Sequence, residues 1–542
     1  MTGREKIFHS SSVLKKTSVF LCLVILAISI CAFVFPFCKA ISPLFKSGYG
    51  AVDFESLLPK ISYTFRQAIL SLLLSLLIGV PSGFFLARRN FPFRNFLSSF
   101  AAVPLAVPPL IMALGYVSVF GFSGLINSFL MNLFSLSQPP FKFIYSLWGV
   151  VIVQGFYNFP LIMTTVADSW NSIDASQKEA ARLLGASEIK IFFTITLHQL
   201  LSAISSACIP VFLYCFFSFM IVMMFGPLGK TTMEVAIYTS ARNVLALKQT
   251  AVLALIETLC AYTILIFYNA LENKTSPVKH SVALKARRKN LTVKEFIAAL
   301  PLIFLVLIFF VFPLASIFIQ SFTDKVSGKI IFSFKTWKYI LTAKTFLKSF
   351  LNTIASASLT GLLSTICGFT FSCILWKNAR NKKLFFALKN ISLLPMSISS
   401  VVTGLGFIYL IKKGNFFNLV LAQTALTWPF AFRQIFSQFK KIPAEVYESG
   451  ILLSKNYNDF IFNILIPYTK NGILSSIGFC FALSAADASL PLVLSMRNFE
   501  TLSLFVYRLA GSFHFRESSA AGIILTALCI FVFRLSVKLK EK

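Results

Sequence analysis

Apolar stretches long enough to cross a bilayer alternate with short polar, mostly basic segments along nearly the whole chain. A spanning helix needs about 20 apolar residues to cross ~30 Å of hydrocarbon. By that measure the pattern predicts twelve spans. The first six fall at about 19–37, 67–87, 98–120, 144–166, 199–225 and 250–269. The second six fall at about 296–320, 346–376, 386–411, 416–433, 471–495 and 517–535. Residues 121–143 and 226–248 read as loops on one side of the membrane. An even number of spans puts both termini on the other side. The expected fold is an all-α polytopic membrane protein of about twelve transmembrane helices.

Two polar interruptions carry structure of their own. In 174–198, Asp174 and Gln177 make a capping-box-like start. Ala180, Ala181, Leu183 and Leu184 then favour helix, and Gly185 supplies a stop. Lys178, Glu179 and Arg182 crowd that short helix, and an amphipathic run over 187–197 returns the chain towards the bilayer. Lying between two apolar spans, such a helix–Gly–helix has no core of its own to join. It is built to lie against something else.

A second loop of this kind follows at an offset of 269, which carries Glu179 onto Glu448. There Pro443-Ala444-Glu445 opens a helix, Glu448-Ser449-Gly450 stands opposite Glu179-Ala180-Ala181, and Ser454 replaces Gly185. The same offset carries Gln154 and Asn158-Phe159-Pro160 onto Gln423 and Thr427-Trp428-Pro429, and Thr232 and Tyr238 onto Thr501 and Tyr507. Earlier in the chain Gly83-Phe84 matches Gly368-Phe369 at 285, and Pro104 and Gly115 match Pro395 and Gly406 at 291. A near-constant offset over so many positions argues for duplication. The expected organisation is a first half at 1–270 with its polar loop at 167–198, a basic linker at 271–295, and a second half at 296–542 with its loop at 434–469. Two parallel, pseudo-symmetric halves would surround a central path.

The loops carry a resemblance. Glu179-Ala180-Ala181, Gly185-Ala186-Ser187, Phe192 and Leu197 resemble the EAA motif of binding-protein-dependent ABC importer permeases. The second copy keeps Glu448, Asp459-Phe460 and Ile466-Pro467 but departs at Ser449, Gly450 and Ser454, while the first has His198 where the motif ends in Pro. The resemblance implies a type I importer permease with its two halves fused. It also implies that Glu179, Ala180, Ala181, Arg182, Gly185, Ala186, Glu448, Ser449, Gly450 and Ser454 couple the chain to homodimeric or paired ATP-binding subunits. ATP would be used by those partner subunits, with no cofactor on this chain and no enzymatic activity of its own. A periplasmic or extracellular binding protein would deliver solute, and the chain would sit in a bacterial inner membrane with both termini cytoplasmic. Phe219 with 231–238, and the stretch 485–516, resemble the fused branch serving thiamine and ferric iron. Thiamine is the first expectation; ferric iron or a polyamine are the alternatives.

Composition agrees with membrane residence: 57% hydrophobic, 13% charged, mean hydropathy +0.79, where a soluble protein carries roughly 25% charged residues. The net charge of +31 would suit nucleic acid, but the basic residues sit in short loops between spans, which is the positive-inside bias of membrane topology. Arg4, Lys6, Lys15 and Lys16 before the first apolar run fit an uncleaved first helix. The ten cysteines and four histidines show no metal or disulfide spacing. The turn 226–231 resembles a phosphate-binding loop but has Met224 where that loop needs Gly.

Inside the spans, Asp487 and Glu257 are the conspicuous acids. A carboxylate at mid-bilayer costs at least ~2.5 kcal/mol, so each faces protein or water. They are candidates for a path lining that suits a cationic solute, or for structural bonds to neighbouring helices. Gln154, Asn158 and Gln423 are candidates for interhelical hydrogen bonds or for solute contact. A secondary transporter driven by an ion gradient is the rival class that these residues would support.

Overall fold

The computed structural model describes residues 32–46, 52–92, 94–100, 103–173, 175–226, 230–241, 246–274, 289–326, 329–377, 381–411, 413–455, 457–496 and 498–541. Asp174, the middle of the 226–231 turn, the first part of the first span and most of the linker lie outside the described residues.

Apolar runs become helices throughout. In chain order these are α1 (Ala32–Phe45), α2 (Leu57–Arg88), α3 (Pro109–Phe120), α4 (Leu125–Phe134), α5 (Leu147–Ser172), α6 (Ala175–Leu183), α7 (Leu197–Phe216), α8 (Met220–Phe225), α9 (Met233–Ser240) and α10 (Leu247–Lys274). There follow α11 (Val293–Ser321), α12 (Lys344–Lys377), α13 (Ser400–Ile411), α14 (Phe416–Phe439), α15 (Ala444–Leu453), α16 (Ile466–Ala486), α17 (Ser489–Leu494), α18 (Leu502–Gly511) and α19 (Phe515–Glu541). Among the described residues eight helical segments are long and apolar enough to cross a membrane, and a bent pair at 383–411 makes a ninth. α14 and α16 have 24 and 21 residues, roughly 30–36 Å at 1.5 Å per residue. They are less apolar because they carry buried Gln423, Thr427, Ser476 and Ser484 against neighbouring helices.

Several expected spans are interrupted. The span at 98–120 breaks before α3, where Pro108 holds ψ at 142° and Pro109 opens the helix; a residue preceding proline is driven out of the helical region. The ninth span bends by 85°, and the spans at 199–225 and 471–495 each split, into α7 and α8 and into α16 and α17. The loops expected at 121–143 and 226–248 contain α4 and α9. A short helix packed on protein, as α9 is from Met233 to Tyr238, cannot be told from a loop by hydropathy averaged over a span.

The duplication is visible helix by helix. The first residues of α14 to α18 each lie 269 positions after those of α5 to α9, and α13 begins 291 after α3. Its chemistry repeats too. Thr232 and Thr501 cap α9 and α18 through their hydroxyls. The Met233 amide donates to Thr64 Oγ1 at 2.9 Å and the Leu502 amide to Thr353 Oγ1 at 2.7 Å. These bonds set α12 at an offset of 289 from α2, one turn away from the 285 expected from Gly83 and Gly368. The structural counterpart of Gly368 is Gly79: they abut Ile162 of α5 and Ala431 of α14, positions 269 apart. Small residues recur every fourth position along α2 (Ser71, Ser75, Gly79, Gly83), so a match slipped by one turn looks as good in the sequence.

That small-residue stripe lets α2 and α5 approach closely, the mode by which helices associate where no hydrophobic drive exists between them. A Cβ on Gly83 would stand 2.8 Å from the Met163 carbonyl oxygen. Gly83→Leu is therefore expected to destabilise the purified protein by about 1–3 kcal/mol, read as a lower melting temperature. An unchanged melting temperature would contradict this packing.

Two compact units emerge, and they cut across the sequence halves. One comprises 1–47, 344–504 and 527–542; the other comprises 48–343 and 505–526. In the first unit, α13 backs Gly406 against the Pro36 carbonyl of α1; in the second, α3 backs Gly115 against the Pro313 carbonyl of α11. Each half thus gives its first helix to the unit built mainly by the other. In the second unit, β1 (Arg89–Asn90) pairs in parallel with β2 (Lys289–Asn290). Arg89 there grips Glu295 through both guanidinium edges, with Nε to Oε2 at 2.9 Å. Glu295 also closes a capping box with Thr292 at the start of α11. In the same unit the hairpin of β3 (Thr323–Val326) and β4 (Lys329–Phe332) follows α11, and Asp324 pairs with Arg516.

Candidate functional site

The two polar loops are built on one plan with different chemistry. α6 ends in a left-handed turn: the Gly185 amide donates to Arg182 O at 2.9 Å and the Ala186 amide to Ala181 O at 3.0 Å. Gly185 has φ +80°, and a Cβ there would meet nothing within 4 Å. The glycine is required by backbone conformation, not by space. At the matching position Ser454 has φ −77° and ψ 133°. Its amide donates to Gly450 O at 3.1 Å and its hydroxyl to the same oxygen at 2.7 Å. At this position the second loop needs no left-handed residue, so the loss of the central Gly is compensated there.

After each turn comes a four-residue helix, Glu188–Ile191 or Tyr457–Phe460, and then five residues of π-helix, Phe192–Thr196 or Ile461–Leu465. These two π-turns occupy equivalent positions, each leading directly into α7 or α16; a third, Leu307–Val311, lies within α11. Such turns are rare and concentrate at functional places; sequence periodicity gives no sign of them.

The middle residues of the motif have a steric meaning. A Cβ on Gly450 would come 2.5 Å from Ile464 Cδ1 and 3.0 Å from Phe460 Cε2, so α15 lies hard against the segment that follows it. Ala181 holds the equivalent place in α6. Glu179, Ala180, Glu448 and Ser449 point to solvent, and Ala186 is half-buried. The Ser449 hydroxyl folds back on Glu445 O at 2.7 Å. Arg182 Nε reaches Glu188 Oε1 at 2.6 Å and ties the two short helices of the first loop together. As an exposed pair it adds little stability.

What the sequence reading missed is the apolar tip of each loop. Leu183 and Leu184 are 90% and 88% exposed, and Leu452 and Leu453, at the matching positions, 62% and 83%. Phe193 and Phe462, also matched, are exposed as well. An isolated surface leucine is ordinary, but a repeated cluster marks a surface awaiting a partner. The signal is present in the sequence as Leu183-Leu184, which read as helix formers, and as Leu452-Leu453 at the same offset of 269.

The loops differ in anchorage. In α15, Tyr447 stacks edge-on to Trp376 and Phe460, with ring centroids 6.0 and 5.4 Å away, and Val446 and Ile451 join the same apolar cluster. In α6 that position is Lys178. Burial first, then the Arg88 and Arg182 guanidiniums, lower its pKa to about 8. Unfolded, Lys178 binds a proton up to about pH 10.4; folded, it loses it near 8. Between these values the unfolded chain holds more protons, so stability rises with pH. The difference in melting temperature between Lys178→Met and the parent is expected to vary with pH across this window, and a pH-independent difference would contradict it.

The candidate path residues separate into different places. Asp487 lies between α16 and α17, where Oδ1 accepts the amides of Ser489 at 2.9 Å and Leu490 at 3.4 Å. There its carboxylate satisfies the first two amides of the short helix, which is the structural alternative to a path lining. An asparagine keeps that acceptor. Asp487→Asn is therefore expected to hold uptake within about twofold and Asp487→Ala to lose more; equal loss in both would restore the charge-based reading. Glu257 in α10 is fully buried, as is Glu234 in α9, an acid in a stretch that hydropathy alone assigns to a loop. Gln423 is bonded at both ends of its amide: Oε1 accepts from Thr360 at 3.3 Å and from Ser484, and Nε2 donates to Ser484 O at 3.1 Å. Gln154 accepts from Ser71 at 2.8 Å, the counterpart of Thr360, and Asn158 donates to Gln154 O at 3.0 Å.

Residues 79–277 and 364–542 each match the family described as binding-protein-dependent transport system inner membrane component. The chain is 23% identical over 493 residues to the thiamine transport system permease protein ThiP of Salmonella typhimurium, covering 88% of both chains. It is 32% identical over 194 residues to the ThiP protein of Brucella abortus, covering 35% of each. A Salmonella choleraesuis permease named for 2-aminoethylphosphonate transport is 29% identical over 166 residues, covering 31% of this chain and 58% of its own length.

Proposed function

This chain belongs to the family of binding-protein-dependent transport system inner membrane components, and from that premise we propose that it is the fused permease of an ATP-driven thiamine importer. The observation that carries the mechanism is the pair of register-matched loops, each with an exposed leucine pair at its tip. Each loop docks its leucines and glutamate into a cleft of one of two ATP-binding subunits on the cytoplasmic side. Both termini lie on that side, and a binding protein delivers solute to the other. Closure of the ATP-binding subunits displaces α6 and α15. Because Gly450 holds α15 against the segment that follows and Ala181 occupies the matching place in α6, the displacement passes into α7 and α16 through the π-turns at 192–196 and 461–465.

Thiamine is favoured because the resemblance to permeases named for it extends over 88% of the chain, whereas that to the phosphonate permease extends over 31%. The test is uptake by the chain reconstituted in vesicles with its ATP-binding subunits and binding protein. Labelled thiamine should accumulate with ATP inside or at the nucleotide-accessible face, and an uncoupler should not reduce it. Uptake driven by an ion gradient without ATP would overturn the importer reading; ATP-driven uptake of another solute would overturn only the substrate.

A further inference from the structure

Three side-chain atoms without partners lie together in the seam where α2, α5 and α7 meet. Gln67 Nε2 donates to the Cys215 carbonyl at 2.8 Å. Asn158 Nδ2 donates to the Gln154 carbonyl at 3.0 Å and sits 3.5 Å from the Cys215 sulfur. The Ser71 hydroxyl donates to Gln154 Oε1 at 2.8 Å, and Ser71, one turn from Gln67, closes the ring. Carbonyl partners fix the Gln67 and Asn158 amides, which leaves Gln67 Oε1 and Asn158 Oδ1 with no donor and Gln154 Nε2 with no acceptor. All three residues are fully buried. Buried polar atoms are nearly always paired, and a cluster of exceptions calls for an explanation.

The equivalent seam of the other repeat has no such set. There Gln423 is bonded at both ends of its amide, and Thr427, the counterpart of Asn158, shares a 2.7 Å hydrogen bond with Ser364. Ser484, the counterpart of Cys215, supplies a hydroxyl where the first repeat has a thiol. Architecture alone therefore does not demand orphaned amide atoms at these positions; the unpartnered atoms of α14 are Thr424 Oγ1 and Trp428 Nε1 instead.

We propose that this seam, once parted, is a recognition site for a nitrogen heterocycle bearing an amino group. Gln67 Oε1 and Asn158 Oδ1 accept the two amino hydrogens, and Gln154 Nε2 donates to the neighbouring ring nitrogen. That pattern is the aminopyrimidine edge of thiamine, so the inference deepens the substrate reading above and rests on it. The site is neutral: it reads hydrogen-bond order and not charge. In the present conformation it is shut, and binding the heterocycle between α2, α5 and α7 satisfies all three atoms at once. Water offers the same two donors and one acceptor, and the experiment separates the two.

Cys215 is the built-in reporter, because a thiol reacts with maleimide only as a thiolate and hence only when wetted. The full complex in lipid nanodiscs, with and without trapping by ATP and vanadate, is treated with N-ethylmaleimide in the presence or absence of thiamine, and Cys215 and Cys480 are quantified by mass spectrometry. Trapping should raise Cys215 modification about tenfold and thiamine should suppress most of the rise, with Cys480 protected throughout. Gln154→Leu and Asn158→Leu should each abolish the protection and lower thiamine uptake about tenfold or more. Cys215 unreactive in every state, or reactive but unprotected by thiamine, overturns the site, the latter leaving a merely wetted seam. Should the parent complex fail to import thiamine, the substrate reading falls by itself. Protection of Cys215 then still decides the site: present, it stands; absent, it falls too.

Discussion

Replacing Leu183 and Leu184 together by aspartate is expected to abolish ATP-driven uptake while the chain remains in the membrane. The two side chains are almost wholly exposed, so the substitution removes nothing from the permease's own core. On docking, each leucine buried contributes about 1.5–3 kcal/mol, and a desolvated carboxylate in its place adds a further penalty. Loss of two such contacts weakens docking by at least about a hundredfold, since each 1.4 kcal/mol is tenfold. The readout is co-purification of the ATP-binding subunits together with uptake. Retention of both at the parent level would show that the tip of the first loop touches nothing. The matched pair Leu452→Asp and Leu453→Asp is expected to behave alike.

Gly450→Leu is expected to uncouple the second loop from inside. The added side chain cannot fit between α15 and the segment beginning at Tyr457, where a Cβ alone would strike Ile464 and Phe460. The helix must tilt off its support or the π-turn must shift. Overpacking of this kind costs about 1–3 kcal/mol, too little to unfold a large membrane protein but enough to misplace a lever. ATP hydrolysis should persist at its basal rate while uptake falls by about tenfold or more. Gly450→Ala, the residue that the first loop carries at Ala181, should lose much less. Equal loss from alanine and leucine would contradict the steric account.

How much of this was readable in the residues follows from what each signal depends on. Spans and repeat were legible because twenty apolar residues in a row and a constant offset survive any detail of packing. The two loops were legible because Glu179 and Glu448 stand in polar segments where no lipid-facing helix would put them. The breaks beside Pro108 and between α16 and α17 were not, since hydropathy is averaged over a window longer than the break. The register of α12 was misread by one turn because a stripe of small residues repeats every four positions. Asp487 drew attention as a charge in a span, and only the bonds to Ser489 and Leu490 show that it caps a helix. Exchange of α1 and α11 between the compact units was illegible for a different reason. Nothing in a helix's own sequence says which neighbour it will choose, and Gly115 and Gly406 reveal it only when Pro313 and Pro36 are seen against them.

The central claim is that both loops, one per repeat, bear on an ATP-hydrolysing partner. Cysteines placed at Leu184 and Leu453, in a chain whose native cysteines have been replaced, can be cross-linked in membranes with a short bifunctional maleimide. The account predicts that both positions join the chain to an ATP-binding subunit, and that ATP with vanadate changes the yield. Cross-links to that subunit from neither position, or to a protein on the opposite face of the membrane, would contradict it.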